Sequence, residues 1–104
     1  MKFLFLLYLL FFFPSVGDSQ ELLELNKKFI ELFQQGKYEE AIPYAEKAFA
    51  MAKKELSENH PDYATNLENL GWVYLTAGYY AKAEPAYTEL IKIKGRLLGK
   101  DHPD

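Results

Sequence analysis

Apolar residues in this chain recur at three- and four-residue intervals in four blocks, each closed by a short polar break. Leu22, Leu25, Phe29 and Leu32 make the first stripe and predict a helix from about Ser19 to Gln35. Leu23, Ile30 and Phe33 lie beside that stripe, and the ordinary reading is a wide buried face. Ala41, Ile42, Ala45, Ala48, Phe49, Ala52 and Leu56 predict a second helix from about Tyr38 to Leu56, with small alanines that allow close packing. Leu67, Leu70, Gly71, Tyr74 and Ala77 predict a third, and Tyr80, Ala83, Tyr87, Leu90, Ile91 and Leu98 a fourth.

The polar breaks carry start and stop signals. Asp18 with Glu21 fits a capping box for the first helix. Asn59 or His60 suits the N-cap of the third, Pro61 its first turn, and Asp62 the positive end of its dipole. Gly78 can adopt the left-handed conformation that ends a helix. Breaks this short make neighbouring helices antiparallel hairpins. Pro43 and Pro85 lie beyond the first turn of their helices, where each removes a backbone hydrogen bond and is expected to bend the helix.

The pattern is written twice, 42 residues apart. Gly36-Lys37-Tyr38 aligns with Gly78-Tyr79-Tyr80, and Glu40-Ala41-Ile42-Pro43 with Lys82-Ala83-Glu84-Pro85. Leu56-Ser57-Glu58-Asn59-His60-Pro61-Asp62 aligns with Leu98-Gly99-Lys100-Asp101-His102-Pro103-Asp104. A repeat of this length signals a solenoid or array. Leu67, Leu70, Gly71 and Tyr74, the turn glycine Gly78, and Tyr80, Ala83 and Tyr87 resemble the tetratricopeptide repeat. The run Ala83 to Pro85 and the linker Leu97 to Asp104 resemble its long variant, found in kinesin light chain. The resemblance implies an all-α fold, an α–α superhelix of two helical hairpins, each with an A helix followed by a B helix. A divergent first repeat would occupy residues 18–59 and a second 60–101, with 102–104 beginning a further, truncated one. The copies differ at telling places: Ala48 corresponds to Leu90, and Lys28-Phe29 to Leu70-Gly71. A terminal repeat is expected to diverge, because one face lacks a neighbour.

Residues 1–17 follow a different pattern. A short positive start, an unbroken apolar run from Phe3 to Phe13, then Pro14 and the small residues Ser15-Val16-Gly17 have the three parts of a secretory signal peptide, with cleavage expected after Gly17. The product would be secreted or periplasmic. The run is shorter than the about 20 residues of a membrane span, so no stable span is expected after cleavage.

Composition narrows the chemistry. With no cysteine, the chain has no disulfide framework, thiolate metal site or thiol nucleophile. A formal net charge of −3 argues against nucleic acid as a partner. Both histidines, His60 and His102, lie in His-Pro-Asp, a tripeptide that also marks J-domain co-chaperones. Its recurrence at the repeat period, before a predicted helix start, favours a repeat linker. Carboxylate pairs such as Glu39-Glu40 and Glu21 with Glu24 sit among lysines near helix starts, where solvated, dipole-complementing charge is ordinary. The basic residues Lys92, Lys94, Arg96 and Lys100 suit a helix C-terminus. No phosphate loop, catalytic triad or ligand cluster is present in the sequence, so neither an enzyme nor a cofactor is expected.

The resemblance implies a protein- or peptide-binding scaffold whose A helices line a groove. Carried over by position, the groove would show Asn26, Lys27, Ile30, Phe33 and Gln34 in the first copy, and Thr65, Glu68, Asn69, Trp72 and Thr76 in the second. Asn69 matches the groove asparagine that bonds a ligand backbone in this family, and an amide offers both donor and acceptor. Trp72, the only tryptophan, reads either as a binding hot spot or as packing on the neighbouring A helix. Two alternatives stand beside this reading. The chain could be a structural N-terminal cap of a longer array, with recognition elsewhere, or a dimerising module. The second B helix would expose some of Leu90, Ile91 and Leu98, a surface suited to self-association.

Overall fold

The computed structural model describes residues 14–101, which form four helices and no strand: α1 (Pro14–Gln34), α2 (Tyr38–Glu55), α3 (Pro61–Ala77) and α4 (Tyr80–Asp101). Each helix packs on the next in chain order, so α1–α2 and α3–α4 are hairpins, with α3 laid against α2. The apolar run before Pro14 and the final His102-Pro103-Asp104 lie outside the described residues.

Local chemistry explains the boundaries. His60 is the N-cap of α3, its Nδ1 accepting the Asp62 backbone N–H at 3.0 Å, with Pro61 next in the first turn. Both A helices, α1 and α3, end in the same turn. Gly36 (φ 77°) and Gly78 (φ 92°) take the left-handed conformation. The following N–H groups then reach back five residues, from Lys37 to the Leu32 carbonyl at 2.9 Å and from Tyr79 to the Tyr74 carbonyl at 2.7 Å. Pro43 and Pro85 sit at equivalent places inside continuous helices. The carbonyls they leave without an intrahelical donor, on Glu39 and Ala81, belong to exposed residues that water can reach.

Two apolar clusters form the core. The first joins α1, α2 and α3 through Phe29, Leu32, Ala41, Ala45, Leu70, Val73 and Tyr74, with Ala83 of α4 at its edge. The second joins α3 and α4 through Tyr63, Leu67, Ala86, Leu90 and Ile93. Phe49 and Tyr87 touch both. The repeats exchange size across one contact. In the first, Phe29 on the A helix shares a cluster with Ala45 on the B helix. In the second, the equivalent residues are Gly71 and Tyr87, and a Cβ on Gly71 would lie 3.3 Å from the Tyr87 ring. A large–small pair becomes small–large, which explains how Phe29 is accommodated in the divergent copy. Leu90, where the first copy has Ala48, is buried in the second cluster.

Four expectations change. Helix α1 is already formed at Pro14, so Asp18 lies inside it and not at a cap; Pro14 itself suits a first turn. The buried face of α1 is narrow, since Leu23 and Ile30 are exposed. The stripe of α4 that packs inward is Ala83, Ala86, Leu90, Ile93 and Leu97, while Tyr80, Ile91 and Leu98 are exposed. The last helix also runs to Asp101, through the segment equivalent to the α2–α3 linker, whereas α2 gives way at Leu56 to extended backbone.

Candidate functional site

The A helices α1 and α3 approach each other where Phe33 meets Trp72, ring centroids 5.2 Å apart and tilted by 60°. Phe33 also contacts Phe29 at 5.5 Å and Tyr38 at 5.0 Å. Phe29, Phe33 and Trp72, with Ile30, Gln34 and Asn69, line a mostly apolar cleft of about 180 Å³. Trp72 packs on the neighbouring A helix, as one of its two sequence readings expects, and still leaves its ring 53% exposed. Ile30 is 47% exposed, and Asn69 is half-buried.

Of the residues assigned to the groove from sequence, the structure therefore gathers Ile30, Phe33, Gln34, Asn69 and Trp72 at one cleft. Asn26, Lys27, Thr65, Glu68 and Thr76 do not line it. The Thr65 hydroxyl donates to the Pro61 carbonyl at 3.1 Å and the Thr76 hydroxyl to the Trp72 carbonyl at 2.8 Å, so both are tied to their own helix. Glu68 turns toward α4, where its carboxylate lies 3.6 Å from Lys94 Nζ. Phe29 was assigned to the core alone; it is buried and also walls the cleft, a double role that periodicity does not reveal. A wider opening of about 350 Å³ near the start of α2 is lined by Gly36–Glu40, Thr76 and Ala77 and offers no aromatic floor beyond the edge of Tyr38.

Tyrosine–carboxylate bonds tie α3 and the turn that follows it to α2 and α4. Tyr74 donates to Glu46 Oε2 of α2 at 2.5 Å, and Tyr79 donates to Glu39 Oε1 of the same helix at 2.7 Å. Tyr63 donates to Glu89 Oε2 of α4 at 3.0 Å. Burial, reinforced by Glu89, pushes the Tyr63 phenol up to about 12. Burial, with Glu46 adding to it, pushes Tyr74 further in the same direction. The Glu39 bond raises Tyr79, and burial raises Tyr87. Lys82 Nζ lies 5.7 Å from the Tyr74 ring centroid and 5.8 Å from that of Tyr79, a cation over two tyrosine faces. Nearby in α3, the buried Asn66 donates through Nδ2 to the Asp62 carbonyl at 2.7 Å.

Among the described residues no group of three or more acidic, histidine or cysteine side chains is placed to hold a metal ion. Among the same residues, no helix is long and apolar enough to cross a membrane.

No curated protein matches this chain. The family model of the tetratricopeptide repeat matches it over residues 21–96, from the second turn of α1 described above to the last turns of α4. Paired antiparallel helices, a glycine-closed turn in each pair and a match over most of the chain place this protein in the tetratricopeptide repeat family.

Proposed function

We propose that the chain is a protein-binding module whose α1–α3 cleft seats one apolar side chain of an extended partner segment. The observation that carries this is the exposed Trp72 ring packed at a tilt beside Phe33 on a concave surface, next to the Asn69 amide. Large, rigid aromatic surface that stays open to solvent is characteristic of interface hot spots. The cleft, at about 180 Å³, falls below the roughly 300–1,000 Å³ of sites that enclose a whole small molecule, which favours a single side chain. Asn69 can both donate to and accept from the partner's backbone, so affinity would depend weakly on the flanking side chains. Tetratricopeptide repeats in general mediate protein–protein interaction, and the reading is of a scaffold, not an enzyme.

The test is selection of peptides from a random library on the wild-type chain, followed by affinity measurement on variants. Trp72→Ala is expected to weaken a selected peptide at least about ten-fold, equivalent to about 1.4 kcal/mol. Asn69→Ala is expected to weaken peptides of unrelated sequence by similar factors. Peptides that bind Trp72→Ala as tightly as wild type would sink the assignment. Because Trp72 is the sole tryptophan and half-exposed, its emission should shift to the blue when the cleft fills.

The 42-residue spacing supports the long, kinesin light chain-like form of the repeat. The charged start, apolar run and small residues before Asp18 support a cleaved leader and export from the cytoplasm. N-terminal sequencing of the native protein should then begin at Asp18; a native chain that retains Met1 would refute cleavage.

A further inference from the structure

Helix α4 carries two apolar stripes. Ala83, Ala86, Leu90, Ile93 and Leu97 face α3. Tyr80, Glu84, Tyr87, Ile91, Lys94 and Leu98 follow the same alternating spacing about a quarter-turn away, since each residue advances about 100° around the axis. Tyr80, Ile91 and Leu98 in this second stripe are 67%, 70% and 55% exposed.

The equivalent stripe of the first repeat shows what such a surface looks like when a helix of this chain covers it. It comprises Tyr38, Ile42, Ala45, Phe49, Ala52 and Leu56 on and just after α2, all apolar, and every one is buried or half-buried. Helix α3 supplies much of the cover, with Tyr63 stacking edge-on against Phe49 at 5.3 Å. On α4 two of the six positions have changed: Glu84 stands where Ile42 does and Lys94 where Ala52 does. Two opposite charges set into an otherwise apolar seam specify pairing and register.

We infer that this stripe is a self-complementary interface on which a second copy of the chain docks, α4 against α4, antiparallel. A two-fold axis at the level of Glu89 sets Tyr80 opposite the partner's Leu98, Tyr87 opposite the partner's Ile91, and Glu84 opposite the partner's Lys94. Each apolar residue then meets an apolar one and each acid meets a base. Lys94, already 3.6 Å from Glu68 of its own chain, would lie between two carboxylates. The inference does not depend on the α1–α3 cleft, which lies on other elements.

Sedimentation velocity over a concentration series of the full chain tests it. Wild type is expected to dimerise. Glu84→Lys and Lys94→Glu, both at exposed positions that the fold tolerates, should each weaken the dimer at least about ten-fold by facing like charges. The double swap Glu84→Lys with Lys94→Glu, made together with Glu68→Gln so that the carboxylate at 94 meets no like charge in its own chain, should restore it, an outcome that neither misfolding nor general stickiness produces. Cysteine placement tests the direction, since the chain has none of its own. Ile91→Cys, which lies on the seam two residues from the axis and so about 6 Å along it from its copy, should be joined across the dimer by a short bifunctional thiol reagent. Leu98→Cys should not, because the two sulfurs would be roughly 27 Å apart along the seam. A monomer at all concentrations, a swap that fails to restore association, or efficient linkage through position 98 would overturn the inference. Association through the apolar run 3–13 would be indifferent to the charge swap and so would overturn it as well.

Discussion

At the scale of single residues, tyrosine hydroxyls do much of the fixing between helices. Tyr63, Tyr74 and Tyr79 each donate to a glutamate on another helix, and all three phenols are shifted upward, as is Tyr87. A phenol whose folded pKa lies above its unfolded value near 10 stabilises the fold fully below pH 10. Between about pH 10 and 12 the unfolded chain releases that proton while Tyr63 in the native chain keeps it, so stability falls as pH rises. The melting temperature is therefore expected to be flat from pH 7 to 9 and to drop steeply above 10. Tyr63→Phe and Tyr74→Phe should lower it at neutral pH, each by about 1–2 kcal/mol of stability, yet flatten the alkaline slope. An unchanged slope in both variants would show that these bonds do not set it. None of these contacts was legible in the sequence, because the partners lie 26, 28 and 40 residues apart, at no helical spacing. The His60 cap and the Gly78 stop were legible, because each depends on residues two to five positions away.

At the scale of elements, the helices and their order follow directly from apolar spacing, but the phase of α4 does not. Two overlapping stripes satisfy the same three–four alternation on that helix, and alanine is ambiguous between packing and propensity. The sequence reading mixes the two, taking Ala83 and Leu90 from one and Tyr80, Ile91 and Leu98 from the other. The structure packs the stripe of Ala83, Ala86, Leu90 and Ile93 inward, because Ala83 and Ala86 let α4 approach α3 closely beside Gly71. The start of α1 was misplaced for a similar reason: Pro14 and Asp18 are both acceptable helix openers, and only one is used. The Phe29–Ala45 and Gly71–Tyr87 exchange makes a sharper test of how the elements fit. Gly71→Phe alone should overpack the α3–α4 contact and cost about 1–3 kcal/mol. Tyr87→Ala alone should open a cavity and cost about 2–4 kcal/mol, less than for a fully buried ring. The double variant recreates the first repeat's pairing inside the second, and its loss should fall short of the sum by at least about 1 kcal/mol. Additive losses in chemical denaturation would show that the two copies reach their packing by unrelated means.

At the scale of the whole molecule, packing runs along the chain, each helix against the next, so stability should be distributed and not pooled. Helix α3 is the exception. Leu70, Val73 and Tyr74 belong to the first cluster and Tyr63 and Leu67 to the second, so α3 ties both together. Helix α1 has a stake only in the first cluster, and α4 contributes chiefly to the second. A cavity in α4 should consequently loosen one end, whereas a cavity in α3 should loosen everything. Ile93→Ala and Leu67→Ala remove comparable buried apolar volume, each worth about 2–5 kcal/mol. Native-state amide exchange separates the two outcomes. In Ile93→Ala, protection should fall by about 30-fold or more along α4 while α1 and α2 keep most of theirs. In Leu67→Ala, protection should fall by a similar factor in all four helices. The cleft between α1 and α3 would then be independent of α4: Phe33 packs on the first cluster and against Trp72, so both rings should stay positioned when α4 opens. If Ile93→Ala instead lowers protection equally everywhere, the four helices fold as one unit. Cleft geometry and the proposed α4 pairing would in that case be energetically coupled, and a peptide selected for the cleft should tighten any self-association.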